Sequence, residues 1–527
     1  MTPTLKQVLD SLAVPPAFSQ HKVTTDENVL TQLYTWKSNL QSVLNQLDSF
    51  DVSTLALSEQ ADLVRVLAPL TAVAQWSSPE TRLVASALLR TLIPSRQLIN
   101  HVLKYIVKPL FAPTPHPCLH TYTARILPRP ADTQDTYVQQ IWKEHPGLDE
   151  VVRWAVLNSE PSAYESTWPL LLPPVMSFLD DYQVLFKILG VRLVSNMLTR
   201  VPLELLLRTG VDALLFTSLT NSLNHLRDPL TPELIHIAVP TTLQLIDLAN
   251  PSLFPHVISF HAQSHSNEPG QATELIHTLS PVHSKSLSTR FTRLSTLLSA
   301  LLGTVIMYTP ILLPPSPAPG PGPDPFADPE HVDTNSEKVA DTQPPTKQPV
   351  NPTLVAAAQT LPAVLSALDI GGSRFLKGII PVLAEWLALP IFSVTSVASA
   401  IGRMPSVGAS VAHVAESTGQ FEEDTRPSAP ELALYFASLS SISVLFCTCT
   451  PRIGRWATTL VDALGRCWVG CLDAEGQSGD KRVLKDSLCL LKERLRETAV
   501  QLAELYPNVV EVCLRLDLSP TLIFHSP

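Results

Sequence analysis

Aromatic residues, charged residues and basic clusters are all in short supply in this chain, and each shortage closes off a class of protein. Phe, Trp and Tyr supply only 6% of the residues, so Leu, Ala and Val have to fill the interior, as they do in helical bundles and solenoids. Charged residues make up 16%, the formal net charge is −10, and no basic run is long enough to form a phosphate-binding stripe. Direct nucleic-acid binding is therefore not expected. Seven cysteines form an odd set concentrated towards the C-terminal end, with no regular spacing, which argues against a disulfide framework. Lys6 and Asp10 interrupt the first apolar residues, so no signal peptide is read there. Reduced thiols, and a place in the cytoplasm and nucleus, are the expectation. Sustained strand alternation with hairpin turns is missing, as are a P-loop, a GxGxxG after a strand and a GxSxG elbow.

What remains is helix. The 527 residues are 45% hydrophobic with a mean hydropathy of +0.17, enough for several domains or for one array whose core grows with each repeat. The central stretch, WPLLLPPVMSFLDDYQVLFKILGVRLVSNMLTR (168–200), reads as one helix ending near Leu179, a corner at Asp180-Asp181 and a second helix. In that second helix Val184, Ile188, Val191, Val194 and Leu198 form one stripe, and Leu185, Leu189, Leu193 and Met197 form another. Such a helix is expected to be buried from several sides. The acidic pair is placed to cap it, Asp181 taking a first-turn N–H, and to form a ladder with Lys187 or Arg192. Gly190 in a helix interior costs roughly 1 kcal/mol relative to Ala, which means either a close backbone approach or a tolerated imperfection. A second copy of the theme lies at SPETRLVASALLRTL, with Ser78 as cap, Pro79 at the first helical position and Arg82 where Lys187 falls.

The expected class is all-α: a HEAT-like helical-repeat α-solenoid with a long disordered insert. Helical repeats occupy 1–313 and 353–527, the latter packing on the same solenoid. Residues 314–352, rich in proline and acid with almost no aliphatics, form the insert because they cannot repay the entropy of ordering. Single helices are expected over 203–226, 374–389 and 392–401, among others. Two uncharged runs, 294–313 and 432–450, are long enough to span a bilayer. Their Ser and Thr content, Pro310 and the lack of one-sided basic flanks favour interior helices instead.

Other constellations have a functional and a plain reading. Asp180-Asp181 as a catalytic or metal pair would need carboxylates converging across a cleft, whereas adjacent residues at a helix start diverge. His256, His261 and His265 have ligand-like spacing but only Glu268 nearby. Cys447-x-Cys449 and Cys467-x-x-x-Cys471 lack the two-residue spacer of zinc and redox motifs, and the second pair shares a helix face as small hydrophobes. Gly371-Gly372, ahead of Arg374 and Lys377, suits an anion site or, more simply, an interhelix turn. No motif supplies nucleophile, base and anion site together, so no catalytic, cofactor or metal residues are expected.

IWKEHPGL followed by VVRWAVLN (141–158), then LLLPPVMSFLDDYQVLFKILGVRLVSNML (170–198), resembles the Tel-two-interacting protein two family. The shared order is a proline-rich helix end, an acidic pair, a lysine and a glycine. Trp154, Pro173, Pro174, Asp180, Asp181, Lys187, Gly190 and Arg192 carry it. The resemblance implies a scaffold subunit of the TTT (Tel-two/Tti-one/Tti-two) co-chaperone complex. Its partners would be the Tel-two and Tti-one type proteins and, indirectly, Hsp-ninety, the R-two-TP adaptor and the phosphatidylinositol-three-kinase-related kinases. That would set it in TOR signalling, DNA-damage and telomere pathways, with no nucleic acid and no membrane. Another HEAT-like adaptor, such as a transport or cargo carrier, and a protein spanning at 294–313 are the alternatives.

Overall fold

The computed structural model describes residues 4–19, 26–47, 50, 55–120, 123–127, 140–250, 281–309, 350–389, 430–477 and 482–507. Among them the chain is all-α, and the single β feature is an isolated bridge between Leu119 and Ile126. Two compact units divide it, residues 1–296 with 406–422 and residues 297–405 with 423–527.

In the first unit, α1 (Leu5–Leu12) and α2 (Glu27–Leu47) are followed by a hairpin of α3 (Leu57–Leu70) and α4 (Pro79–Thr91). The α4 start follows the sequence: Ser78 Oγ accepts from the Thr81 N–H at 3.1 Å and Pro79 occupies the first turn. Next, α5 (Arg96–His101) runs through a π-helical stretch, Val102–Val107, into Lys108–Phe111. After a 3₁₀ turn at Ile141–Glu144 come α6 (Leu148–Asn158), α7 (Tyr164–Leu179) and α8 (Val184–Leu198). The single helix expected over 203–226 is two, α9 (Leu203–Thr209) and α10 (Val211–Ser222), separated by Gly210 at φ +72°. Then α11 (Thr231–Ala249) precedes α12 (Pro281–Tyr308), of which the residues to Thr296 belong to the first unit and those from Leu297 to the second. Helices pack in sequence-adjacent pairs, α1 on α2, α3 on α4, α6 on α7, α7 on α8, α9 on α10 and α10 on α11, and α8 lies at the centre, against α6, α7 and α11. This neighbour-on-neighbour stacking of helix pairs is the HEAT-like organisation.

The second unit holds α13 (Pro352–Leu368), α14 (Leu376–Leu387), α15 (Pro430–Ile453), α16 (Ala457–Gln477) and α17 (Arg482–Leu505). Here α15 packs on α13, α14 and α17, while α16 packs on α14 and α17. A kink at Cys449, whose φ of −120° is non-helical, lies two residues before Pro451. Asn351 caps α13, its side chain accepting from the Thr353 N–H at 2.8 Å, so helix begins at Pro352 inside the segment assigned to the insert. Residues 310–349 lie outside the described residues, as do 392–401 and His256, His261, His265 and Glu268.

Three helical stretches, Ser286–Tyr308, Pro352–Arg374 and Leu432–Glu475, are long and apolar enough to cross a membrane. Each is partly packed inside the protein, and two-thirds (67%) of the most apolar window of the last one is buried. Leu294, Leu297, Leu298 and Leu301 of the first run read from the sequence, and Leu434, Ile442 and Leu445 of the second, are core residues.

Candidate functional site: the α7–α8 corner

The corner is shaped by how closely α8 crosses the end of α7. A Cβ built on Gly190 would lie 2.3 Å from the Leu179 N and 2.4 Å from the Leu179 Cα. Of the two readings of this glycine, the close backbone approach is the one observed: no side chain fits there. Bringing α8 onto the C-terminus of α7 also positions Lys187. It is 4% exposed, and its Nζ donates to the Leu179 carbonyl at 2.8 Å. A cation at a helix C-terminus meets the negative end of the dipole and satisfies an orphan carbonyl. Burial lowers the Lys187 pKa, with Asp180 and Asp181 opposing that shift.

Neither the cap nor the ladder read from the sequence forms. Asp180 terminates α7 rather than starting α8, and its Oδ2 accepts from Ser218 Oγ at 3.1 Å and pairs with His116 Nε2 at 3.0 Å. Nδ1 of His116 accepts from the Cys118 N–H at 3.3 Å, so the ring proton is assigned to Nε2. Asp181 Oδ1 accepts from the Gln183 N–H at 2.8 Å, closing an Asx turn one residue before α8 instead of bonding the helix's first turn. Its Oδ2 pairs with Lys143 Nζ at 2.6 Å, with side-chain exposures of 0% for Asp181 and 12% for Lys143. The two carboxylates thus point to different elements, and no shared acid/base or metal function is built from them. Arg192 reaches across to α11, donating to Glu233 at 2.7 Å.

Lys143 and His116 escaped the sequence reading, although Lys143 stands in the quoted IWKEHPGL. Its Nζ lies 5.3, 4.5 and 4.9 Å from the ring centroids of Trp142, Tyr182 and Phe186, cation–π contacts that add to the ion pair. Trp142 in turn packs on Phe111 at 5.5 Å, Phe178 at 4.6 Å and Phe186 at 5.1 Å. Five aromatic residues, Phe111, Trp142, Phe178, Tyr182 and Phe186, therefore gather at this corner. A lysine directly after a tryptophan, 38 residues before the acidic pair, is a signal that pairing by helical spacing alone does not detect.

Among the other predicted positions, Pro173 is half-buried and Pro174 buried inside α7. Trp154 stands apart: half-buried on α6, at the edge of the apolar face formed by Val151, Val152, Ala155 and Val156. Arg82, matched to Lys187 by the repeat, is not buried. Cys467 and Cys471 are both buried, and the hydrogen bond from Cys471, with burial, pushes the Cys467 thiol far up. Gly371-Gly372 lie in a 3₁₀ turn, Asp369–Arg374, between α13 and α14. Among the described residues no three His, Cys, Asp or Glu side chains come together as metal ligands.

Beside the corner a cleft of about 70 Å³ opens between the turn after α3, residues 142–150 and α8. Leu185, Phe186 and Leu189 of α8 line it and are only half-buried. The second stripe of α8 is thus half-open at Leu185 and Leu189, while Leu193 and Met197 of the same stripe are buried as expected. Asp149 stands in the first turn of α6, behind Gly147 at φ +76°. A Cβ on Gly147 would sit 2.5 Å from the Pro69 Cβ, which fixes this turn against the end of α3. Part of Asp149 stays at the surface, but protein atoms crowd its carboxyl, and that loss of water, with Glu150 beside it, pushes its pKa up to about 7. Burial lowers the His145 pKa.

Stacked helix pairs that spend their polar groups on internal bonds define a helical-repeat protein of the HEAT-like type, a non-catalytic kind of fold. The sequence profile of the Tti2 family matches residues 63–394, which include the whole corner, and the chain belongs to the Tti2 family. No curated protein matches the chain. Among solved structures it is similar to the karyopherin Kap121p in its complex with the SUMO protease Ulp1p, at 13% identity and a TM-score of 0.25. That match covers 97% of this chain and 51% of the karyopherin, so the chain spans about half the length of the protein it matches.

Proposed function

We propose that the chain is a non-enzymatic scaffold subunit of the TTT co-chaperone complex. In this reading it holds the Tel-two and Tti-one type proteins and, through them, supports the folding, assembly and stability of phosphatidylinositol-three-kinase-related kinases. Hsp-ninety and the R-two-TP adaptor act with it, in cytoplasm and nucleus, and the protein serves TOR signalling, the DNA-damage response and telomere maintenance. The observation that carries this is the family match over 63–394, which takes in the corner on which the resemblance rests. The internal consumption of charge at that corner supports it: Lys143, Asp180, Asp181, Lys187 and Arg192 all have partners within the chain, as befits groups that hold a shape rather than turn over a substrate. Affinity purification of the tagged chain from cells, followed by mass spectrometry, tests it. Stoichiometric recovery of the Tel-two and Tti-one type subunits is expected, and their absence, or recovery of transport factors in their place, overturns it.

A further inference from the structure

We propose that the outer face of the helix running from Arg96 to Phe111 docks an acidic segment of a partner subunit, with carboxylates on Arg96, Lys104 and Lys108 and an apolar residue on Tyr105. This rests on the scaffold reading above and specifies one contact surface for it. Three observations converge on that occupant.

First, the charge on this part of the chain has one sign. Between Glu80 and Asp132 the sequence holds seven Lys and Arg and no Asp or Glu, in a chain whose formal net charge is −10. The seven are too far apart to read as a basic run, but the fold gathers three of them on one helix face. Leu98, Val102, Leu103 and Val107 enter the core, which leaves Arg96, Lys104, Tyr105 and Lys108 exposed.

Second, these cations have no carboxylate of their own. Among the described residues the side chains of Lys104 and Lys108 make no ion pair or hydrogen bond, and Arg96 donates to a neutral group, Ser166 Oγ, at 2.7 Å. Glu165, the neighbour of Ser166 on α7, is already taken by Arg208 at 2.5 Å. Arg153 and Arg192, on other helices of this unit, each reach a carboxylate as well. A row of cations without counter-charges gains from an incoming row of anions, which it also steers towards itself.

Third, an aromatic side chain stands among the cations. Tyr105 is 57% exposed in the π-helical stretch, its ring 4.5 Å from the His101 ring and 5.0 Å from Lys104 Nζ. Ile93, 82% exposed, leads into the same helix. A tyrosine flanked by cations has the composition of a protein–protein hot spot, and π-helical turns recur at functional positions. Size separates this surface from a nucleic-acid site. Arg96 to Lys108 spans about 18 Å, and its three Lys and Arg fall short of the roughly six to ten phosphate contacts that duplex binding uses.

The test uses the full-length chain with the co-expressed Tel-two and Tti-one type subunits. A carbodiimide, which joins lysine amines to carboxylates in direct contact, should link Lys104 or Lys108 to Asp or Glu of a partner subunit, as peptide mass spectrometry reads. Lys104→Glu/Lys108→Glu should weaken assembly about tenfold, and Lys104→Arg/Lys108→Arg by less than about twofold. The loss should shrink as salt is raised from about 50 to 500 mM. Lys377→Glu/Arg452→Glu makes the same charge change at exposed positions of the second unit and is the control. Links only to this chain's own carboxylates, a charge-reversal loss no larger than the control's, or loss of a bound nucleic acid with subunit affinity unchanged would each overturn the inference while leaving the scaffold reading intact. Failure of the wild-type chain to assemble overturns the scaffold reading, and this inference with it. Lys104 and Lys108 are exposed, so the variants keep the wild-type Tm and loss of fold does not mimic the expected result.

Discussion

Replacing Gly190 by alanine adds one methyl group where the backbone of α7 already stands. The new Cβ would lie 2.3 Å from the Leu179 N and 2.6 Å from the Phe178 C, so α7 and α8 must separate by about 1 Å to reach ordinary contact. Helix propensity alone favours alanine by roughly 1 kcal/mol. Overpacking against a rigid wall costs about 1–3 kcal/mol or more, and here the wall is backbone rather than a flexible side chain. The separation also strains the Lys187 hydrogen bond to Leu179 and the packing of Phe178 on Trp142. A net loss of about 2 kcal/mol is expected for Gly190→Ala and a larger one for Gly190→Leu, the former a fall in Tm of about 3 °C for a unit of this size. Far-UV circular dichroism in urea, with tryptophan fluorescence as a local probe, measures it. The control is internal, because Gly303 and Gly378 are helical glycines with nothing within 4 Å of an added Cβ. Gly303→Ala and Gly378→Ala should therefore stabilise by about 0.5–1 kcal/mol. A Gly190→Ala protein as stable as wild type would refute the close-crossing account of the corner.

Other perturbations separate the remaining interactions. Lys143→Met leaves the fully buried Asp181 carboxylate uncompensated and should cost about 3 kcal/mol or more, much of it regained in Lys143→Met/Asp181→Asn, as a double-mutant cycle would show. Arg192→Met removes a pair whose side chains are 38% and 36% exposed and should change stability by less than about 1 kcal/mol in urea titrations. Asp149 titrates near 3.8 when unfolded and about 7 when folded, so between those values the folded state holds the extra proton. Its contribution to stability therefore falls as pH rises through that window, by up to about 1.4 kcal/mol per pH unit, and is least favourable above pH 7. Asp149→Asn should raise stability at pH 8 and flatten the pH dependence of urea midpoints between pH 5 and 8. Under native conditions iodoacetamide should label the exposed Cys447 and Cys489 and spare Cys467 and Cys471, as peptide mass spectrometry can establish.

The helices were legible because each leaves a local mark: Ser78-Pro79 at the start of α4, or the apolar spacing from Val184 to Leu198. Gly190 was legible for the same reason, since a glycine in so apolar a helix is a local anomaly. The partners of the charged residues were not. Asp181 and Lys143 are 38 positions apart, Asp180 and His116 are 64 apart, and Arg192 and Glu233 are 41 apart, so their meeting depends on how elements stack rather than on any periodicity. Reading Asp180-Asp181 with Lys187 and Arg192 as one ladder assumed that near neighbours along a helix pair first. Here α8 starts only at Val184, after the Asx turn at Asp181, and the α7 carbonyl takes Lys187. Likewise, Leu185 and Leu189 are half-exposed although they are the same residue type as Leu193 and Leu198, which are buried; what separates them is which neighbouring elements cover that part of α8.

That same stacking explains why the corner carries buried charge at all. Exchanging Lys143, Asp181 and Lys187 for apolar residues of similar volume would cost little or even stabilise the fold, because desolvation offsets most of the attraction in a buried pair. Their contribution is to register. The Lys143–Asp181 pair fastens residues 141–147 to the end of α7, His116–Asp180 fastens the segment after α5 to the same point, and Lys187 holds α8 at the height where Gly190 meets Leu179. Apolar contacts among Leu, Val and Ile tolerate sliding by a fraction of a turn, whereas a buried ion pair shifted by that distance becomes two unpaired charges. In a helical-repeat protein each repeat is positioned only by its neighbours, so a register error at one corner is transmitted to all that follows. Polar locks at the helix pair that contacts α6, α7 and α11 restrict that error where it would propagate furthest.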